Sequence, residues 1–380
     1  MEFTPPPNYL SVMQSRIPPR TAASLGALVR SRRQQLALKQ LDLAGLGNTG
    51  NRFIVDVENG KPTVQLQKVL DLMHLLGLEV IVRVRGARIS LAGAQDQTSI
   101  ALFADGAPRL PRGTAPSTHI LKPDIRRLNK VWHSAVNETI VMLAAARCGL
   151  PTADVFYEPH TRACLVRRFD RFMQPEGRLG GQLGRLIQYD MCQLAGIVSE
   201  KKYEKEGGPG IAACAELIRV HSSQPAADLR HYVMWILFNL FTGNNDSHAK
   251  NLSLLDSPGK GMTLAPFYDL MCTRLYPGLS AEFAFSIGGE SRPGYLTRAH
   301  LDAMSADLRM RPQFVANLAA ELAGKLPDAI AHAAATVRPL LTPAGKALAG
   351  RLTAFIVSTT AKTTRRLKLP VSPAATRALP

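Results

Sequence analysis

No apolar run in this 380-residue chain reaches the ~18 residues that a bilayer-spanning helix needs, so no membrane partner is expected. The opening residues, Met1-Glu2-Phe3-Thr4-Pro5-Pro6-Pro7, lack the basic end and apolar stretch of a signal peptide. Cysteine is sparse: Cys148, Cys164, Cys192, Cys214 and Cys272 are odd in number, scattered and without ligand spacing. That excludes a disulfide framework and points to a reduced, cytoplasmic protein with buried thiols. No segment repeats. Acid is short as well, and the formal net charge is +17. Residues 346–380 hold 7 Lys/Arg and no Asp or Glu, and residues 1–88 hold 12 Lys/Arg against 6 acids. Excess at both ends fits a polyanionic partner such as nucleic acid, or else a solvated basic surface. Charge alone does not separate the two.

The apolar content is ample for two or three domains. Residues 1–20 are proline-rich and aperiodic, which predicts a flexible arm. Residues 21–78 predict four or five short helices: Leu25, Leu28, Val29 and Leu36 mark one, and Leu41, Ala44 and Leu46 a second. Phe53, Ile54 and Val57 mark a third, stopped by Asn59-Gly60, and Thr63 is expected to cap a fourth that carries Leu66, Val69, Leu70 and Met73. The period then changes to alternation, with Val80, Val82 and Val84 on one side of a strand. Residues 89–103 continue as strand, loop and strand, and Asp105-Gly106 is a hairpin signal. A short strand at 119–122, a helix at 129–148 and a strand through Leu165-Val166 follow. From Gln188 the chain reads as mainly helical, and the last twenty or so residues, basic and rich in Thr and Pro, as disordered.

The densest chemistry lies at 243–269. Residues 229–241 are apolar nearly all round, the mark of a buried helix. Gly243 ends it, and the polar run Asn244-Asn245-Asp246-Ser247-His248-Ala249-Lys250-Asn251 follows. Strands at 252–255 and 262–265 flank the turn Ser257-Pro258-Gly259-Lys260-Gly261. Pairing them as a hairpin brings Asn251 and Asp269 to one end, within reach of one cation. Phosphoryl transfer needs a carboxylate to orient the attacking hydroxyl and hard oxygen ligands for Mg²⁺. Asp246-x-x-x-x-Asn251 has the spacing of a kinase catalytic loop, with Asp246 as base, Asn251 on metal and Asp269 as the second metal carboxylate. The bare spacing is weak; behind a buried helix and before a hairpin ending in Asp it is far stronger. His248 either touches phosphate or metal, or braces the loop. Lys250 either neutralises substrate charge or is solvated.

The run 243–253 resembles the catalytic loop of the HipA-like serine/threonine kinases, bacterial toxins associated with persistence. The resemblance runs in order over about 88–355. Ile89-Ser90-Leu91-Ala92-Gly93-Ala94-Gln95 is similar to that family's phosphate-binding loop, Thr118-His119-Ile120-Leu121-Lys122 to its ATP-lysine strand, and Arg168-Phe169-Asp170-Arg171 to its hinge. Gln188-Tyr189-Asp190-Met191-Cys192-Gln193 and Gly207-Gly208-Pro209-Gly210 also fit. The resemblance implies a bilobal, kinase-like fold using ATP and Mg²⁺ to phosphorylate a protein on Ser or Thr, with aminoacyl-tRNA synthetases as the known kind of target. It implies ATP contacts at Gly93, Ala94, Gln95, Lys122, Arg168, Phe169, Asp170 and His248, with Lys122 on the α/β-phosphates. It also implies that Ser90 is an inhibitory autophosphorylation site, where roughly two added negative charges would repel ATP. Glu138 is either the ion-pair partner of Lys122 or a surface residue. Gln97 stands where many relatives have lysine, and Arg167 where an acid is common; both put ATP affinity in question.

Residues 21–78 resemble the Xre/Cro-type helix-turn-helix repressors, especially the HipB antitoxins. Gln40-Leu41-Asp42-Leu43-Ala44-Gly45 is similar to their first motif helix, and 50–61 to the recognition helix and its end. Such a helix places Asn51 and Arg52 to reach base edges, with Thr49, Gly50 and Lys61 on phosphate. A bundle without DNA contacts is the alternative. HipA relatives usually carry an extra β-rich subdomain before the phosphate loop, whereas here the repressor-like part runs almost straight into Ser90. The expected organisation is therefore α+β: an arm (1–20), an all-α helix-turn-helix domain (21–85), a kinase-like domain with a mainly helical C-lobe (86–360) and a basic tail (361–380). The 80–84 strand either pairs across a homodimer on two-fold operator DNA or joins the kinase sheet. The leading expectation is a kinase with a fused DNA-binding domain. A transcriptional regulator with a degenerate kinase lobe is the second, and a small-molecule phosphotransferase the third.

Overall fold

The computed structural model describes residues 21–78, 97–102, 108–111, 116–173, 183–198 and 200–370. The arm, the 80–84 strand, the whole 89–95 loop with Ser90, Gly93, Ala94 and Gln95, the 105–106 hairpin and residues 371–380 lie outside them. The chain divides into two compact units, Met1–Ala87 and Arg88–Pro380.

In the first unit four helices enclose one core: α1 (Ala22–Gln35), α2 (Gln40–Leu46), α3 (Asn51–Glu58) and α4 (Leu66–Leu75). Val29, Leu43, Ala44, Ile54, Val57, Val69, Leu72, Met73 and Leu76 fill it. Thr21 caps α1 through the Ser24 amide. The fourth helix starts at Leu66 with Gln65 as its cap, later than Thr63, because Val64 turns in against the core instead of opening a helix. At the centre of the unit lies an ion pair. The fully buried Glu58 carboxylate accepts from Arg33 Nε at 2.5 Å and Nη2 at 3.0 Å, from Gln40 Nε2 at 2.8 Å and from Arg30 Nε at 3.3 Å. One acid thereby ties α1, α2 and α3 together.

The second unit begins with β1 (Thr98–Leu102), β2 (Pro108–Arg109) and β3 (His119–Pro123). Helix α5 (Ser134–Arg147), β4 (Val155–Glu158) and β5 (Ala163–Arg167) follow, and the five strands form an antiparallel sheet in the order β2-β1-β3-β5-β4. α5 starts at Ser134 rather than 129, because the preceding chain is spent on its cap: Asp124 accepts from the Ala135 amide and Ser134 from the Ile125 amide. Strands β6 (Arg171–Met173) and β7 (Leu183–Arg185) pair as a ribbon, and β8 (Ile187–Asp190) leads into the short α6 (Met191–Leu194). Then come α7 (Ile211–His221), α8 (Pro225–Thr242), and the hairpin β9 (Ser253–Ser257) and β10 (Gly261–Leu264), which β8 extends to three strands. Helices α9 (Arg298–Asp307), α10 (Pro312–Val337) and α11 (Pro343–Arg366) complete it.

From Tyr232 onward α8 is surrounded on all sides, and Tyr232, Trp235, Phe238 and Phe241 on it are fully buried. Trp235 stacks on Phe267 with ring centroids 6.1 Å apart, which fixes the strand end that leads to the site. α10 packs against α5, α8, α9 and α11. The expected tail at 361–380 is corrected in its first part: α11 runs on to Arg366, since Thr363 and Leu367 are buried, and a basic composition does not prevent an amphipathic helix from forming. No helix among the described residues is long and apolar enough to cross a membrane.

Candidate active site

Gly243 ends α8 in the left-handed conformation (φ 73°), and a Cβ there would crowd Arg274 at 3.2 Å. The chain then turns sharply and is held by its own asparagines. Asn244 Nδ2 donates to Asn239 Oδ1 at 2.8 Å, the Asn245 amide donates to Thr273 Oγ1 at 2.8 Å, and Asn245 Nδ2 donates to the Ser280 carbonyl at 2.9 Å. This polar run is thus largely buried and pinned to the segments around it. Asp246, half-buried, accepts a short hydrogen bond from the Tyr203 hydroxyl. The loop closes when the His248 amide donates to Asn251 Oδ1 at 3.2 Å.

The β9–β10 register, Ser257 opposite Gly261 and Leu254 opposite Leu264, returns the chain so that Asn251 and Asp269 meet. Asn251 Nδ2 donates to Asp269 Oδ2 at 3.1 Å. Phe267 is pinned to the loop after α5 by hydrogen bonds with Pro151 (2.7 Å) and Ala153 (2.9 Å), and Asp269 itself sits at φ 55°. A non-glycine residue there costs backbone energy that the surrounding contacts must supply.

Lys122, on the central strand β3 and only 4% exposed, reaches Asp269 and Glu138 together. Its Nζ is 2.7 Å from Glu138 Oε1 and makes a short contact with Asp269 Oδ1. Burial alone would make Lys122 easier to deprotonate, but the charges of Asp269 and Glu138 override it and hold the ammonium firmly charged. Burial likewise works against the charged form of Asp269, and the adjacent Lys122 wins, keeping it below the usual carboxylate range. Glu138 is therefore no surface residue. Its neighbour Asn137 fastens α5 to the segment after Asp269: Nδ2 donates to the Cys272 carbonyl at 3.0 Å, and Oδ1 accepts from the Cys272 amide at 2.9 Å.

A cleft of about 220 Å³ opens over these groups, lined by Lys122 and Asp269 with Ile120, Val166, Phe169 and Tyr268. Gln97, Arg167, Arg168, Asp170 and Gln188 complete its wall. At the hinge, Arg168 and Asp170 bind each other through two contacts of 2.9 and 2.7 Å, with Arg171 at 2.6 Å from the same carboxylate, so both side chains are spent on locking the hinge. Arg167 pairs with Asp154 at 3.5 Å. Lys250, part-exposed, donates to Asp190 at 2.7 Å.

His248 is 3% exposed and, among the described residues, neither ring nitrogen has a hydrogen-bond partner, a costly arrangement for a buried polar group. Burial first, and then the positive charge of Lys202, push its pKa down to about 3, so the ring is neutral. Among the described residues no cluster of three or more His, Cys, Asp or Glu could hold a metal unaided. Asp269 and Asn251 instead offer hard oxygens in the number that Mg²⁺ takes when substrate phosphates and water supply the rest. With the unpartnered His248 beside them, the residues present fit Mg-nucleotide.

Tyr203 and Lys202 went unnoticed in the sequence. The Gly207-Gly208-Pro209-Gly210 run stood out, but the charged stretch Lys201-Lys202-Tyr203-Glu204 just before it, the one available signal, did not. In the first unit Gly50 caps α3, Asn51 and Arg52 are exposed on its first turn, Thr49 is half-buried, and Lys61 is drawn to Asp56 at 2.7 Å.

Residues 89–330 match the HipA-like C-terminal domain. The chain belongs to that family. A serine/threonine-protein kinase toxin HipA from Shewanella oneidensis is 33% identical over 267 residues, covering 67% of this chain and 59% of that protein. A solved complex of the Shewanella oneidensis MR-1 toxin–antitoxin system, HipA, HipB and its operator DNA, shares the fold of this HipA-like chain at a TM-score of 0.65. Identity there is 25%, over 80% of this chain and 72% of that one. An HTH-type transcriptional regulator of Sinorhizobium fredii, y4mF, itself uncharacterized, is 46% identical over 69 residues, 18% of this chain and 91% of that protein. The chain spans 49% and 59% of the length of the curated kinase relatives it matches.

Proposed function

We propose that this HipA-like chain is an Mg-ATP-dependent serine/threonine protein kinase of toxin–antitoxin type, with a fused helix-turn-helix module that binds operator DNA. The observation that carries the reading is the Lys122 ammonium held between Glu138 and Asp269, with Asn251 on the second oxygen of Asp269. This is the cation-and-carboxylate arrangement that phosphoryl transfer requires.

In this reading Asp246 receives the proton of a Ser or Thr hydroxyl as its oxygen bonds to the γ-phosphorus, and the bond to the β-phosphate oxygen breaks with its electrons leaving on ADP. Lys122 faces the α/β-phosphates, and His248, neutral, lies against the nucleotide. Asn251 and Asp269 would hold Mg²⁺, which when bound neutralises phosphate charge. Ser90 is the proposed autophosphorylation site, and a translation component such as an aminoacyl-tRNA synthetase the proposed target. Purified protein incubated with Mg-ATP is expected to gain one phosphate, located at Ser90 by mass spectrometry. A protein that neither incorporates phosphate nor hydrolyses ATP would instead be a regulator with a degenerate kinase lobe, the reading that Gln97 and Arg167 favour.

The DNA-binding part of the proposal rests on α3, whose exposed N-terminal turn carries Asn51 and Arg52, and is supported by the similarity to an HTH-type regulator. Binding as a homodimer to a two-fold operator upstream of its own gene should weaken steeply with salt. Arg52→Ala is expected to cost about 1–3 kcal/mol and relax preference at one base position, read by gel shift on base-substituted operators. Unchanged affinity and preference would remove α3 from the recognition role.

A further inference from the structure

We infer that Tyr203 is a positioning residue for phosphoryl transfer, acting through Asp246; the inference rests on the kinase reading above and deepens it. Tyr203 is 3% exposed, and its hydroxyl donates to Asp246 Oδ1. Its ring stands edge-on to His248, centroids 5.2 Å apart at 80°. One side chain from outside the catalytic loop therefore braces two residues within it.

The local chain is shaped to hold that phenol in place. The Tyr203 carbonyl accepts from the Gly208 amide at 2.9 Å and the Glu206 amide at 3.0 Å, folding the segment back beneath the ring. A Cβ on Gly208 would lie 2.4 Å from the Lys201 carbonyl oxygen and 2.9 Å from that of Tyr203, so only glycine permits this return. The Lys202 carbonyl accepts from the Ala249 amide at 3.4 Å, which stitches the segment to the catalytic loop on the other side of Asp246. The glycine run at 207–210 thus has a mechanical purpose: it presents Tyr203 to Asp246.

A half-buried aspartate with no brace rotates about χ2, and a base that turns away from the acceptor hydroxyl is lost to the reaction for that time. The Tyr203 hydrogen bond fixes the carboxylate plane before substrate arrives, which is preorganisation of the kind that a misplacement of about 1 Å would forfeit at a cost near a hundredfold. The hydroxyl reaches Asp246 while the ring meets His248, so loss of the hydroxyl alone falls on turnover and leaves the nucleotide-facing contact of the ring in place.

Tyr203→Phe removes the hydroxyl and keeps the ring against His248. In the full chain, kcat for ATP hydrolysis and for phosphate incorporation is expected to fall about ten- to a hundredfold, with KM for ATP within about twofold and the melting temperature unchanged. Tyr203→Ala, which also removes the ring, should lower the melting temperature as well. If wild type is active and Tyr203→Phe turns over at the wild-type rate, the inference is overturned and the kinase reading stands. If kcat falls only together with a higher KM for ATP or a lower melting temperature, Tyr203 is structural and the inference is again overturned. A wild type that turns over no ATP overturns the kinase reading and this inference with it.

Discussion

Asp246→Ala is expected to lower phosphate incorporation and ATP hydrolysis by about 10²–10⁴-fold, the range that a positioned acid–base group supplies. ATP affinity should stay close to wild type. The reason lies in how the site is partitioned. The charge proposed to face nucleotide is anchored on β3 and α5, through Lys122 and Glu138, and on the Asp269 segment. Asp246 belongs to a different scaffold, the asparagine-pinned turn after α8, and is braced by Tyr203 rather than by Lys122. Removing it leaves Lys122, Asn251 and Asp269 paired as they are. Intact-mass measurement after incubation with Mg-ATP, beside calorimetric titration with ATP, separates the two effects. Incorporation at the wild-type rate would show that Asp246 is not the base, whatever else the site does. Asp269→Asn should behave differently, weakening ATP binding itself, because it replaces one oxygen of the proposed metal carboxylate by an NH₂ group and removes the charge opposite Lys122.

The second large effect concerns stability. Glu58→Ala is expected to cost about 3–5 kcal/mol, since it strands the Arg33 guanidinium in the interior without an anion. Small domains have only about 5–15 kcal/mol in total, and a unit as small as Met1–Ala87 lies near the lower end. The first unit should therefore open: hydrogen exchange measured by mass spectrometry on the full chain should speed up across α1, α2 and α3 and stay slow in α8. Protection equal to wild type would mean that the pair contributes little. Acid should mimic the substitution. Burial alone would raise the Glu58 pKa, but the hydrogen bonds from Arg33 and Gln40 and the charge of Arg33 outweigh it and hold the carboxyl below its ordinary value. Its contribution is thus fully present above the unfolded-state pKa and disappears as pH falls through the lower folded one.

The catalytic loop was legible in the sequence because its parts are local. Asp246 and Asn251 share one turn, and the Ser257–Gly261 hairpin that returns the chain to Asp269 announces itself in five residues. The buried α8 was legible for the same reason, being apolar on every side. What escaped depends on contacts distant in sequence. Tyr203 meets Asp246 across 43 residues, and Asn137 meets Cys272 across 135, separations that no periodicity encodes. The ion pairs of Lys250 with Asp190 and of Arg168 with Asp170 were not legible, because nothing in the local pattern marks which acid a charged residue beside an active site will meet. Strands β4, β6 and β7 are too short to show alternation, and the end of α11 was hidden by a basic, threonine-rich composition that resembles tail. The unexpected start of α5 has a similar origin: Asp124 caps it from ten residues upstream, where nothing marks it as a cap.

The double hydrogen bond from Asn137 to Cys272 has a mechanical consequence. It welds the helix that carries Glu138 to the segment that carries Asp269, so neither can be withdrawn from Lys122 alone. A lever that moved α5 away from the sheet would drag the Asp269 carboxylate with it. The proposed nucleotide site is thereby geared as a single piece. Whatever shifts α5 changes whether the site is assembled at all, rather than trimming its affinity contact by contact.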